Sequence, residues 1–177
     1  MAGKIETVAL LHPGNMGATI GAAATSSGAR VLWASQDRGG ATRRRAEQAK
    51  LVDAGDLSAA VRQADAVLSV CPPHAAVDVA RAVAAEKFTG IYVDANAVSR
   101  ATAEEIGAII SASGAGFVDG GIIGSPVKQA GTTRLYLSGT RAGEIAALFS
   151  GSMLDARAIG AEPGAASALK VAYAAWT

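Results

Sequence analysis

The sequence predicts an α/β fold, a doubly wound and mostly parallel sheet, on three observations. Short apolar runs alternate with longer segments of helical period along the 177 residues. The strand-like runs, such as Val8-Ala9-Leu10-Leu11 and Asp65-Ala66-Val67-Leu68-Ser69-Val70, are nearly continuous in apolar character rather than alternating, as in strands covered on both faces. Ala is the commonest residue and Gly occurs 21 times, so helices can lie close to the sheet and strand-to-helix turns can be tight. Strand–helix alternation then calls for right-handed parallel crossovers.

Each element follows from local chemistry. Residues 5–11 read as the first buried strand, stopped by Pro13-Gly14. Residues 15–27 read as a helix with Asn15 as N-cap and Gly28 as stop. A strand at 31–34, a polar Arg-rich helix at 41–50, a short strand at 51–52 and a helix at 57–63 follow. The strand at 65–70 ends at Pro72-Pro73 and leads into a helix at 75–85. Next come a strand at 91–94, a helix at 102–113 and a short strand at 116–119. Gly120-Gly121 and Gly124-Ser125-Pro126 mark a loop. Strands at 134–138 and 156–159 flank a helix at 142–149. Pro163 opens a final helix that is still apolar at Trp176. The expected organisation is one domain over 1–162, then, over 163–177, the start of an interdomain helix leading to a C-terminal domain absent from this chain. Trp33 and Trp176 read as packing residues.

Composition narrows the function. With 50% apolar and 18% charged residues the chain can build a core and is not a disordered segment. Sixteen basic and fifteen acidic residues leave a net charge of +1, too weak a field to hold nucleic acid or an anionic membrane. A single Cys, Cys71, excludes a disulfide framework and a Cys-rich zinc site, and His12 and His74 make no metal cluster. The uncharged stretch 7–29 is broken by His12-Pro13-Gly14-Asn15 and is neither a membrane span nor a signal peptide. The expectation is a cytoplasmic protein with a small-molecule partner.

In such a sheet, ligands bind at the carboxyl ends of the strands, at the switch point beside the first one. There the sequence reads His12-Pro13-Gly14-Asn15-Met16-Gly17. In a G-x-G-x-x-G turn the second Gly lets a pyrophosphate approach and the third lets helix and strand pack, and Gly14 and Gly17 fill those places, with His12 in the first. Amides near Asn15 and Met16 would face the phosphates, helped by the helix dipole. At the end of the second strand, Ser35 stands where an acid would hold a ribose 2′-hydroxyl, and Arg38 and Thr42-Arg43-Arg44-Arg45 follow. A small hydroxyl with guanidinium groups suits a 2′-phosphate, so NADP(H) is expected, with NAD(H) the alternative if Asp37 points at the ribose.

The chain resembles the N-terminal domain of the β-hydroxyacid dehydrogenase and 6-phosphogluconate dehydrogenase superfamily, a Rossmann domain. Four motifs in order carry the resemblance: Gly14-Asn15-Met16-Gly17; Asp94-Ala95-Asn96-Ala97-Val98-Ser99; Asp119-Gly120-Gly121-Ile122-Ile123-Gly124-Ser125-Pro126; and Gly164-Ala165-Ala166-Ser167-Ala168-Leu169-Lys170. The similarity is greatest to a phosphogluconate dehydrogenase-like subgroup. The resemblance implies a catalytic lysine at Lys170, a substrate loop including Ile123, Gly124 and Ser125, and backbone contacts to the cofactor from Cys71, Pro72 and Pro73. It also implies a helical C-terminal domain closing the pocket and a homodimer in a full-length form. Ile123 replaces the family's substrate-binding Ser, and Ala174 its Asn, which favours a less polar ketone, aldehyde or imine over a hydroxycarboxylate.

Hydride transfer leaves a proton to be moved at the substrate oxygen, and Lys170 is the candidate general acid/base. Asn96 either hydrogen-bonds substrate or carboxamide or closes an Asx-type turn. His12 reads as a turn residue, His74 as a helix-start residue and Cys71 as a small buried residue. Three functions are weighed: an NADP-dependent oxidoreductase, a non-catalytic NAD(P)-binding regulatory module, and an imine reductase-like enzyme.

Overall fold

The computed structural model describes residues 4–176. Eight strands form one sheet: β1 Thr7–Leu11, β2 Arg30–Trp33, β3 Val52–Asp53, β4 Ala66–Ser69, β5 Ile91–Asp94, β6 Gly116–Gly124, β7 Thr133–Ser138 and β8 Asp155–Gly160. Seven α-helices connect or follow them: α1 Asn15–Ser26, α2 Gly40–Gln48, α3 Leu57–Arg62, α4 Ala76–Ala85, α5 Arg100–Ala112, α6 Ala142–Leu148 and α7 Ala165–Trp176. The order across the sheet is β3-β2-β1-β4-β5-β6-β7-β8, with β3 and β8 at the edges. All neighbours pair parallel except β6 and β7. The chain runs outward from β1 to β3 and then crosses back to β4 on the other side of β1. That reversal opens the crevice at the carboxyl ends of β1 and β4.

Two apolar layers cover the sheet. One gathers Leu10, Ile20, Trp33, Leu137 and Ile145 under α1, α2 and α6. The other gathers Leu11, Val67, Tyr92, Ile106 and Ile110 under α3, α4 and α5. Small residues set the separation: a Cβ on Gly21 of α1 would come within 2.8 Å of a Leu10 methyl and 2.9 Å of a Leu51 methyl.

The doubly wound, mostly parallel sheet is as expected, and most element ends fall within a residue or two of the expected ones. Three expectations are corrected. Gly120-Gly121 is not a loop, because β6 runs unbroken through both to Gly124. A Cβ on Gly120 would sit 3.0 Å from the Asp94 carbonyl oxygen, and one on Gly121 would sit 2.7 Å from the Ala166 carbonyl oxygen. These glycines admit close backbone neighbours within a strand rather than turning the chain. Pro163 does not open the last helix. It precedes Gly164, whose φ of +91° is incompatible with the first turn, and α7 starts at Ala165. Trp176 is 90% exposed at the end of α7, so it does not pack, whereas Trp33 is buried.

Candidate functional site

The first turn is built to leave its amides open. After β1 the backbone turns left-handed at His12 (φ +69°), and the His12 carbonyl accepts the Gly14 N–H at 2.7 Å. Gly14, not Asn15, is the N-cap of α1, and no side chain caps the helix. Asn15 is the first helical residue, which corrects its assignment as cap. The amides of Asn15, Met16 and Gly17 therefore have no intrahelical acceptor. The two glycines of the turn differ in kind. A Cβ on Gly17 would lie 2.5 Å from the His12 carbonyl oxygen, whereas nothing lies within 4 Å of a Cβ on Gly14. Gly17 thus locks α1 against β1, and Gly14 faces open space where an anion can approach the helix dipole. These residues fit a dinucleotide pyrophosphate.

Beyond β2, Ser35 is buried and its carbonyl accepts Arg43 Nη2 at 2.8 Å. Arg43 Nε also donates to the Arg38 carbonyl at 3.2 Å, and Arg43 Nη1 lies 4.0 Å from the Asp53 carboxylate. Arg43 is therefore a brace that shapes the 35–38 loop. Asp37 is exposed with φ +58°, a turn residue. The Arg38 side chain lines a cleft of about 280 Å³ together with Leu11, His12, Ala34, Leu57 and Val79. The size and apolar walls suit an adenosine moiety. Sequence reading missed this cleft because its walls come from four separate elements. Arg45, read from the sequence among the guanidinium groups for a 2′-phosphate, instead donates its Nε–H to the Pro13 carbonyl at 3.2 Å and ties α2 to the first turn.

At the ends of β4 and β5 the Asn96 side chain is spent within the protein. Its Oδ1 accepts the Cys71 N–H at 2.6 Å, and its Nδ2 donates to Ser69 Oγ at 3.1 Å. The residue is 3% exposed. Asp94 Oδ1 accepts the Asn96 N–H at 2.9 Å, so the Asx-type turn belongs to Asp94. Asn96 thus holds the Cys71-Pro72-Pro73 segment beside the crevice. Pro72 and Pro73 are exposed there, and burial pushes the Cys71 thiol upward.

Asp94 is fully buried, and among the described residues its Oδ2 has no hydrogen-bond partner. Burial pushes its carboxyl up to about 6, the Asn96 amide opposing this and the Asp119 charge adding to it. The folded state therefore binds this proton more tightly than the unfolded chain. The stability it brings is present at acid pH and is lost as pH rises through 6. The advantage of Asp94→Asn over the wild type, measured by urea unfolding, is expected to grow by up to about 3 kcal/mol from pH 4 to pH 7. A constant difference across that range would refute this account of Asp94.

Asp119, paired in register with Asp94 across β5 and β6, is also fully buried but is well supplied with donors. Its Oδ2 accepts Ser138 Oγ at 3.1 Å and the Ser167 N–H at 2.9 Å, and its Oδ1 accepts the Ser167 hydroxyl in a short hydrogen bond. Ser138 Oγ in turn accepts the Ala166 N–H at 3.1 Å. This clamp fixes the first turn of α7 on β6 and β7. One turn later comes Lys170, half-buried, whose Cβ is 3.2 Å from where Gly121 would carry its own. Strand alternation puts Ile123 on the same face of β6 as Asp119 and Gly121. Ile123 is buried, while Gly124 (φ +119°) and Ser125 are exposed at the strand end. Ser125 offers its carbonyl to Thr133 Oγ1 at 2.6 Å. The cofactor and substrate candidates read from the sequence follow the carboxyl ends of β1, β2, β4 and β5 or lie on the last part of β6 and just after it, apart from Arg43 on α2 and Lys170 on α7.

Residues 7–98, just over half of the chain, match the family model described as NADP oxidoreductase, coenzyme F420-dependent. The chain belongs to this family. No curated protein matches it significantly. Among solved structures it is similar to a conserved protein of unknown function described as structurally similar to 3-hydroxyacid dehydrogenases, at 28% identity and a TM-score of 0.84 over 96% of this chain and 64% of that one. It is similar in fold to the 3-hydroxyisobutyrate dehydrogenase of Mycobacterium tuberculosis, at 24% identity and a TM-score of 0.77 over 96% of this chain and 59% of that one. A V8 variant of the imine reductase from Myxococcus stipitatus, in complex with NAD+, matches in fold at 20% identity and a TM-score of 0.76 over 98% of this chain and 61% of that one. The resemblance carried by the four motifs is borne out. This member of the NADP oxidoreductase family has the fold of the N-terminal domain of the β-hydroxyacid dehydrogenase superfamily, and it spans less than two thirds of the structures it matches. Among the described residues no helix is long and apolar enough to cross a membrane.

Proposed function

We propose that the chain is the cofactor-binding part of a cytoplasmic NADP(H)-dependent oxidoreductase, with Lys170 as general acid/base toward a small oxo, hydroxy or imine substrate. The uncapped first turn of α1, open at Gly14 and locked at Gly17, carries the reading. The bound nicotinamide supplies the hydride chemistry. The chain's own residues do the rest. The amides of Asn15 and Met16 hold the pyrophosphate and Arg38 meets the 2′-phosphate. Asn96 acts as a positioning residue, keeping the Cys71–Pro73 segment against the crevice. Lys170, anchored through the clamp on Asp119, holds or delivers the proton at the substrate heteroatom. Ile123 on the same face and Ala174 one turn beyond Lys170 favour a weakly polar substrate, an observation that also favours an imine. The substrate pocket is completed by a helical domain following 163–177, in a homodimer.

Thermal unfolding tests the cofactor reading. NADPH at a hundredfold excess over its Kd should stabilise the protein by about 2.7 kcal/mol, or roughly 5–10 °C. No shift with millimolar NADPH or NADH would reject the site. Arg38→Ala should weaken NADPH by roughly tenfold to a hundredfold and leave NADH nearly unchanged. Equal losses for both nucleotides would remove Arg38 from the 2′-phosphate.

A further inference from the structure

His12 occupies the place in the turn where a glycine would adopt the same left-handed backbone without strain. A side chain at that φ is strained, and the turn itself needs none. The imidazole is partly buried in the wall of the adenosine-sized cleft, beside Arg38, and among the described residues its Nδ1 has no hydrogen-bond partner. The charged groups that line this cleft are Arg38, from the loop after β2, and Asp78, from α4, while β1, the residue just after β2 and α3 contribute Leu11, Ala34 and Leu57.

We propose that His12 is a specificity-determining residue of the dinucleotide site, its imidazole taking up a proton as a 2′-phosphate enters the cleft beside Arg38. The inference rests on the dinucleotide reading above and adds to it a residue and a proton linkage. Without ligand, burial and then the Arg38 charge hold the imidazole down to about 4, so it is neutral at physiological pH. A 2′-phosphate brings about −1.5 to −2 charges into the same cleft. That charge offsets Arg38 and favours the imidazolium, which then donates to a phosphate oxygen. NADH brings only a hydroxyl there and leaves the imidazole neutral.

Calorimetric titrations at pH 6.5, in two buffers of different ionisation enthalpy, count the protons taken up on binding. The wild type should take up several tenths of a proton with NADPH and none with NADH. Its NADPH affinity should rise roughly threefold to fivefold from pH 7.5 to pH 6, as for a group restored to its ordinary value near 6.5. His12→Asn, whose residue tolerates a left-handed backbone, should still bind NADPH but lose that uptake. The phosphate's own titration is common to both proteins and cancels in their difference. His12 and His74 are the only histidines, so imidazole NMR of the wild type gives a second readout, in which the His12 resonances should move toward imidazolium with NADPH alone. Equal proton uptake in wild type and His12→Asn, or equal uptake with NADH, overturns the inference while leaving the dinucleotide site standing. Binding of neither nucleotide overturns both.

Discussion

Asp119→Ala is expected to destabilise the protein by about 3–5 kcal/mol, because it strands the Ser167 amide, the Ser167 hydroxyl and the Ser138 hydroxyl without their acceptor in a fully buried place. Loss of the neighbouring negative charge relieves Asp94, but one relieved carboxylate does not offset three unmet donors. Urea unfolding measures the total. Amide exchange locates it, since protection should fall first in α7, the element that carries Lys170. Asp119→Asn keeps the shape and an acceptor for the Ser138 hydroxyl and the Ser167 N–H but puts a donor toward the Ser167 hydroxyl, so it should lie between wild type and Asp119→Ala. Unchanged stability and unchanged α7 protection in Asp119→Ala would show that the clamp does not hold the helix.

The second large effect separates the two glycines of the first turn. Gly17→Ala drives a methyl to 2.5 Å from the His12 carbonyl oxygen, a backbone atom that cannot swing aside. The turn must open, at a cost of roughly 1–3 kcal/mol, and NADPH binding should be lost with it. Gly14→Ala should leave the unliganded protein almost as stable as wild type, because its φ of −69° suits alanine and nothing lies within 4 Å of the new methyl. It should nonetheless weaken NADPH severely, since the methyl fills the space the pyrophosphate needs. If Gly14→Ala binds NADPH normally, the phosphates do not rest there.

How far the sequence reveals this molecule depends on whether a feature is local. The strands β1, β4 and β5 were legible because burial on both faces forces continuous apolar runs. The first turn was legible because its glycines sit between a strand and a helix. β6 was misread at Gly120-Gly121, since glycine marks turns in a sequence yet here makes room for the Asp94 carbonyl and for α7. Asn15 was misread because its capping propensity says nothing of Gly14 already holding the extended cap conformation. Arg43 looked free for a phosphate, and only the folded loop shows it engaged with two carbonyls. The Asp119 clamp joins residues 19 and 48 positions apart, and neither Ser138 nor Ser167 is distinctive where it stands.

The far rim of the sheet has a consequence of its own. β8 leaves one row of main-chain donors and acceptors without a neighbouring strand among the described residues. Across that rim Asp155 pairs with Arg157 at 2.6 Å and with Arg134 at 3.6 Å. Such charges guard an open margin against accidental polymerisation, because a strand docking there must desolvate them. Association by extending the sheet at β8 is thereby a costly route.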